Sequence, residues 1–230
     1  WMNNFQNLIT HFLYKILLII SISLVYGYPI IHKYYHFYNI KNVSFNQNMC
    51  GELILIIGPM FSGKSTELIR RIRELKNNSK KVLVIKPMID SRYNNNKITS
   101  HNNETVESIV LNKLEDITDD ELKNYRYVFI DEGQFFDDLH IVKHWVDNLN
   151  INITVGGLDG DFQRQPIGTI LNLIPHADHC IKLTSMCNIC KNENKAPFSF
   201  RLVKSSDKVL IGGSESYIPV CRKHFNQLNK

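Results

Sequence analysis

The sequence predicts an α/β fold: a parallel sheet with helices on both faces, joined to a small metal-stapled lobe. Three observations carry this expectation. Short apolar runs alternate with amphipathic stretches from Met49 onward. A G-x-x-x-x-G-K-[ST] loop lies between the first run and the first amphipathic stretch. A C-x-x-C pair and a C-x-x-H pair then bracket a short tail of β-like runs. The boundaries expected are residues 1–48 for an N-terminal extension, 49–184 for the sheet domain and 185–230 for the lobe.

With 230 residues, 43% hydrophobic and 21% charged, the chain suits one domain plus a small attachment. Collagen, a disulfide-dense miniprotein and a wholly disordered chain are excluded. Residues 1–48 carry Lys15, Lys33 and Lys41 and no acid, so they supply +3 of the formal +5. The remainder, with 24 basic and 22 acidic residues, is nearly balanced. A duplex-binding protein would show a larger basic excess, so no nucleic-acid partner is expected.

The uncharged run Ile16 to Ile31 has 16 residues and is broken by Gly27 and Pro29. A spanning helix needs roughly 20 apolar residues. The chain opens on Trp1, and Met49 immediately precedes the first convincing element. Residues 1–48 are therefore expected to be a leader outside the enzyme, with a membrane anchor as the alternative. Membrane contact is expected only if that extension belongs to the working protein.

From Met49 the elements follow in order. Glu52 to Ile57 (ELILII) reads as a buried parallel strand between Gly51 and Gly58. Thr66 to Lys76 places Leu68, Ile69, Ile72 and Leu75 at helical spacing. Lys81 to Lys86 is a second strand, and the asparagine-rich stretch Pro87 to Thr105 reads as a mobile loop. Tyr127 to Ile130 is a third strand, Leu139 to Leu149 a helix, and Ile151 to Val155 a fourth strand ending at Gly156-Gly157. Beyond Ser185 the runs Phe198 to Val203 and Lys208 to Ile211 look β-like.

The loop Gly58, Pro59, Met60, Phe61, Ser62, Gly63, Lys64 and Ser65 follows a strand and opens a helix, the context a phosphate loop requires. Its glycines let backbone N–H groups turn inward around phosphate oxygens, and the helix points its positive end at the same anion. Lys64 would reach the β- and γ-phosphates, and the Ser65 hydroxyl would ligate Mg²⁺. The third strand delivers Asp131 and Glu132 at its carboxyl end, where open parallel sheets hold ligands. Asp131 is placed beside Mg²⁺, and Glu132 is placed to accept a proton from the oxygen that attacks phosphorus. Motor ATPases use such a glutamate to activate water. The pair therefore indicates phosphoryl chemistry without naming the acceptor.

Five cysteines, an odd number, do not form a secreted disulfide framework. Cys187, Cys190, Cys221 and His224 instead form two knuckles with four S/N donors. Zn²⁺ takes such a set tetrahedrally and leaves no position for water, so the site is expected to be structural. Cys50 and Cys180, without such pairing, are expected to be small buried side chains. A zinc ribbon can also grip nucleic acid, so a nucleic-acid-directed ATPase remains the alternative function.

Taken together, GPMFSGKSTELIRRIR (Gly58–Arg73), IDSRY (Ile89–Tyr93), FIDEGQFF (Phe129–Phe136), GLDGDFQRQPIGTILNLIPHAD (Gly157–Asp178), CNIC and VCRKHF resemble the cytosolic and viral type of thymidine kinase. The blocks occur in the family's order over nearly all of the chain after Met49. The resemblance implies a P-loop sheet with a zinc lobe, transferring the γ-phosphoryl group of ATP to the 5′-hydroxyl of thymidine, and of deoxyuridine. It implies that Glu132 takes the hydroxyl proton, and that Asp131, Gly133 and Gln134 face the nucleotide. Asp90, Ser91 and Arg92 match a second phosphate-side segment, and Phe162 the ring that packs on thymine. Lys208, Val209, Leu210, Ile211 and Gly212, with Tyr217, match a lasso that closes over the nucleoside. The family further implies a cytoplasmic homotetramer or homodimer. His224 departs from many relatives, which carry cysteine there. Zinc is expected to order the lobe and its lasso, whereas the phosphate loop is expected not to need the metal.

Overall fold

The apolar runs become the strands of one sheet. The computed structural model describes residues 50–89, 97–99, 104–191, 194–204, 210 and 212–229. The chain divides into two units, residues 1–48 and 49–230, and everything described belongs to the second. Asp90, Ser91, Arg92, Lys208, Val209 and Ile211 lie outside the described residues, as does the whole N-terminal extension.

Strands β1 (Leu53–Ile57) and β2 (Val82–Pro87) are separated by helix α1 (Lys64–Asn77). Part of the expected loop is instead a hairpin of β3 (Lys97–Thr99) and β4 (Thr105–Glu107), followed by β5 (Ile109–Leu111). A short helix α2 (Asp119–Leu122) leads to β6 (Tyr127–Ile130). The helix expected over 139–149 is shorter: a 3-10 turn at Leu139–Ile141 runs into α3 (Val142–Asp147). Asn148 and Asn150 stop it, because asparagine competes with helical backbone bonds and tolerates the left-handed region that Asn150 adopts at φ 56°.

Strand β7 (Asn152–Gly157) and the edge strand β8 (His179–Lys182) complete the sheet, in the order β5-β2-β6-β7-β1-β8 with every pairing parallel. Alternate residues feed two cores. Leu55, Ile85, Ile130 and Val155 pack with Trp145, Phe136 and Leu122. Ile56, Val84 and Phe129 pack with Leu68, Ile69 and Ile72 of α1 and with Ile98 and Val106 of the hairpin. Burial on both faces is why these strands read as unbroken apolar runs.

Cys50 and Cys180 are exposed, contrary to expectation. Cys180 lies on β8, whose neighbour in the sheet is β1 alone and whose His179 and Lys182 are also exposed. Cys50 precedes β1 and so lies outside the strand core.

The lobe consists of two antiparallel ribbons and a helix. Strand β9 (Ser185–Met186) pairs with β10 (Lys195–Ala196), and β11 (Phe198–Arg201) with β12 (Tyr217–Val220), before α4 (Arg222–Leu228). Strand β11 stops at Arg201, short of the expected Val203. Its core is small: Cys187, Ala196, Val220, Cys221 and Phe225, flanked by Phe198, Phe200 and Ile218.

Candidate active site

A cavity opens at the carboxyl ends of β1, β6 and β7, and five segments wall it. The first wall is the loop after β1. Gly63 there adopts φ 85° and forms the N-cap of α1, a left-handed conformation that disfavours a side chain. The N-terminus of α1 therefore faces the cavity, with Gly63, Lys64, Ser65 and Thr66 in the lining. Met60 and Phe61 also line it, whereas Gly58, Pro59 and Ser62 do not. The Lys64 ammonium is buried and donates to the Pro59 carbonyl at 2.8 Å, folding back over its own loop. Phe61 holds φ 63°, a strained value for a bulky residue.

The second wall is the end of β6. The Asp131 N–H extends the ladder to the Ile85 carbonyl at 3.0 Å, and its buried carboxylate accepts from the Glu132 N–H at 3.0 Å. Glu132 sits in the left-handed region at φ 51°. Asp131, Glu132 and Phe135 line the cavity, and Gly133 and Gln134 lie buried behind it in the 3-10 turn Gly133–Phe135.

The third wall is the loop after β7, with Leu158, Gly160 and Phe162. The buried Asp161 carboxylate shapes it by accepting from the N–H groups of Gln163 and Gln165, both at 2.8 Å. The fourth wall comes from the lobe: Ser199, Leu210, Gly212, Gly213 and Tyr217. Arg201 joins these two walls. Its guanidinium lies 3.7 Å from the Phe162 ring centroid, and its Nε donates to the Tyr217 hydroxyl at 3.2 Å. That hydroxyl in turn donates to the Leu210 carbonyl at 2.8 Å. Arg164 binds the same loop to the lobe core, its guanidinium 4.4 Å from the Phe225 centroid and 5.4 Å from that of Phe198. The fifth wall is Ile89 with Lys97, Ile98 and Thr99 of the hairpin.

The phosphate loop is not independent of the lobe. The Met60 N–H donates to the Ser199 hydroxyl of β11 at 2.9 Å, so the loop after β1 is tied to the lobe. Ser199, Arg201, Lys97 and Thr99 carried no signal of spacing or motif. Phe135, Leu158 and Gly160 lay inside blocks already singled out, without being named.

The four donors of the lobe converge. His224 Nδ1 is 3.5, 3.3 and 3.4 Å from the sulfurs of Cys187, Cys190 and Cys221, and the Cys190 and Cys221 sulfurs are 3.9 Å apart. A tetrahedron with Zn–S bonds of about 2.3 Å has edges near 3.8 Å, so the cluster fits a zinc ion. Burial works to raise the Cys187 thiol, but N–H groups of Cys190, Cys221 and Ile189 outweigh it and hold the group below its ordinary value. The Asn194 amide also donates to the Cys190 sulfur at 3.3 Å. Among the described residues no helix is long and apolar enough to cross a membrane.

One cavity thus combines an anion cradle with a cation, two acids at a strand end, and an aromatic face. Such a set can hold a phosphorylated donor against an acceptor with a flat ring and a hydroxyl. Comparison with known proteins agrees. The family model described as thymidine kinase matches residues 51–225. The chain is 41% identical over 182 residues to thymidine kinase 1 of Dictyostelium discoideum, covering 77% of this chain and 79% of that one. It is 42% identical over 179 residues to the thymidine kinase of Yaba monkey tumor virus, covering 78% and 97%. It is 41% identical over 172 residues to the cytosolic thymidine kinase of Homo sapiens, covering 75% and 72%.

Proposed function

The chain belongs to the thymidine kinase family, and from that premise we propose the part each residue takes in the reaction. The enzyme phosphorylates thymidine with ATP as donor, the reaction of nucleotide salvage. The observation that carries the assignment of roles is the shared cavity of Lys64, Glu132 and Phe162.

The inward N–H groups of the phosphate loop and the N-terminus of α1 receive the phosphates of ATP. Lys64 moves from the Pro59 carbonyl to the β- and γ-oxygens, where its charge offsets that of the transferring group. Ser65 and Asp131 are hard oxygen donors lining one cavity, and they fit Mg²⁺. When bound, that ion neutralises phosphate charge. Glu132 accepts the proton of the 5′-hydroxyl as its oxygen bonds to the γ-phosphorus and the bond to the ADP oxygen breaks. Phe162 stacks on the thymine ring, with Arg201 on its other side. Leu210, Gly212 and Tyr217 close over the nucleoside, together with Lys208, Val209 and Ile211. Asp90, Ser91 and Arg92 serve the phosphate side. Deoxyuridine, which lacks only the ring methyl, is accepted too.

Zinc on Cys187, Cys190, Cys221 and His224 holds the lobe that carries this closing segment. We further place the enzyme in the cytoplasm as a homodimer or homotetramer. Residues 49–184 form its nucleotide-binding domain, 185–230 its nucleoside-closing lobe, and 1–48 lie outside the catalytic unit.

The test is turnover with ATP and a panel of nucleosides for the enzyme and for Glu132→Gln. Thymidine-dependent ADP release is expected, with kcat lowered about 10²–10⁴-fold in the variant and ATP binding retained. Near-normal turnover of Glu132→Gln would move the base elsewhere.

A further inference from the structure

Gln134 is 4% exposed and does not line the cavity, yet both ends of its amide are engaged. Its Nε2 donates to Glu132 Oε2 at 2.6 Å, and its Oε1 accepts from the Leu158 N–H at 3.0 Å. The orientation of the amide is fixed by its partners, because the Leu158 N–H can only donate and a carboxylate can only accept. The backbone leaves it little room. A Cβ on Gly157 would stand 2.5 Å from Gln134 Oε1, and one on Gly168 would stand 2.1 Å from the Gln134 carbonyl oxygen. The amide is therefore a strut between the end of β7 and the carboxylate at the end of β6.

Glu132 needs such a strut. It leaves β6 through a left-handed backbone, and an unconstrained glutamate turns about three side-chain bonds. We propose that Gln134 is a positioning residue that holds the Glu132 carboxylate in the orientation that meets the 5′-hydroxyl. This rests on the reading of Glu132 as the base and adds the group that aims it. Gln134 itself lies outside the cavity lining. Its effect therefore belongs on kcat rather than on the binding of ATP or thymidine.

The test uses Gln134→Glu, which keeps an oxygen for the Leu158 N–H and nearly the same shape but removes the donor to Glu132. The expected result is a kcat lowered about 10–100-fold, the scale of an ångström's misplacement, with both KM values little changed. The deficit should narrow at acidic pH, where two facing carboxyl groups share a proton and one donates again. In the Glu132→Gln background the same substitution restores a complementary pair, so it should cause no further loss. Melting temperature and thymidine binding show whether each variant folds. If Gln134→Glu unfolds the chain, Gln134→Met takes its place and must lower kcat without weakening binding. Full activity of the Gln134 variant beside a crippled Glu132→Gln, or losses that multiply in the double variant, would overturn the positioning role while leaving the base in place. An active Glu132→Gln would instead remove the base reading and this inference with it.

Discussion

At 6% exposure Arg201 is a buried cation, and its partners explain why it is tolerated. The guanidinium lies over Phe162 and bonds the Tyr217 hydroxyl, so one side chain joins the two aromatic residues proposed to hold the nucleoside. Lysine would keep the charge but offer neither the flat face nor the fork. Arg201→Lys should therefore raise KM for thymidine about tenfold, within the range of a desolvated cation–π contact, and leave KM for ATP unchanged. Steady-state kinetics with each substrate varied in turn checks this; equal losses for both would detach Arg201 from the nucleoside side. The residue was not legible in the sequence for a physical reason. Strand β11 reads Phe-Ser-Phe-Arg, and the period of two suggests aromatic side chains inward and polar ones out. The structure buries Ser199 and Arg201 and leaves Phe198 and Phe200 half-buried, because the polar face is turned to the site. That Lys64, Asp131 and Glu132 share one cavity was legible because their motifs place them at strand ends.

Elements were legible where an apolar run or helical spacing marked them and lost where neither did. The strands at the centre of the sheet and α1 declared themselves by apolar runs and helical spacing. Strand β5 has three residues and β8 reads His-Cys-Ile-Lys with no apolar run, and pairing with β2 and β1 is what makes them strands. Strand β3 lies in the asparagine-rich stretch and β4 begins at its end, and their buried members, Ile98 and Val106, are single residues among polar ones. The contact between α2 and α3 was equally invisible, since it joins residues far apart in sequence. His144 Nε2 lies 2.9 Å from Asp119 Oδ2, and that hydrogen bond, above all, raises the His144 pKa. A raised folded-state value means that the pair contributes fully below the unfolded value near 6.5 and is lost as pH rises through the folded-state value. The melting temperature of the enzyme should therefore exceed that of His144→Gln near pH 6, and the two should converge in alkaline solution. Both side chains are about half exposed, so the difference should stay under about 1 kcal/mol. A gap that widens with pH would refute this pairing.

Across the described molecule, the lobe and the sheet share one cavity, and the Cys187, Cys190, Cys221 and His224 cluster that fits zinc lies in the lobe. The core of the lobe is small for ordering by apolar burial alone, and zinc bound to its four donors would supply much of the remaining folding free energy. Three attachments carry that order to the sheet domain: Arg201 on Phe162, Arg164 on Phe198 and Phe225, and the Ser199 hydroxyl on the Met60 N–H. Two of them act on the loop that bears Phe162, and one acts on the phosphate loop. Loss of zinc should consequently strike thymidine first and hardest. Nucleotide affinity should follow by a smaller step, on the scale of one neutral hydrogen bond, about 1 kcal/mol or some fivefold. Titrating the enzyme with a chelator, or comparing Cys190→Ser, while measuring thymidine KM, ATP affinity and bound zinc tests the order of these losses. Ser199→Ala in the zinc-loaded enzyme separates the routes, since it removes the bond to Met60 and leaves the metal in place. It should reproduce the nucleotide step without collapse of the lobe. If zinc-free enzyme bound and phosphorylated thymidine normally, the metal would not be what holds the nucleoside wall. If ATP affinity fell as steeply as thymidine affinity, the phosphate loop would depend on the lobe through more than the single bond from Met60.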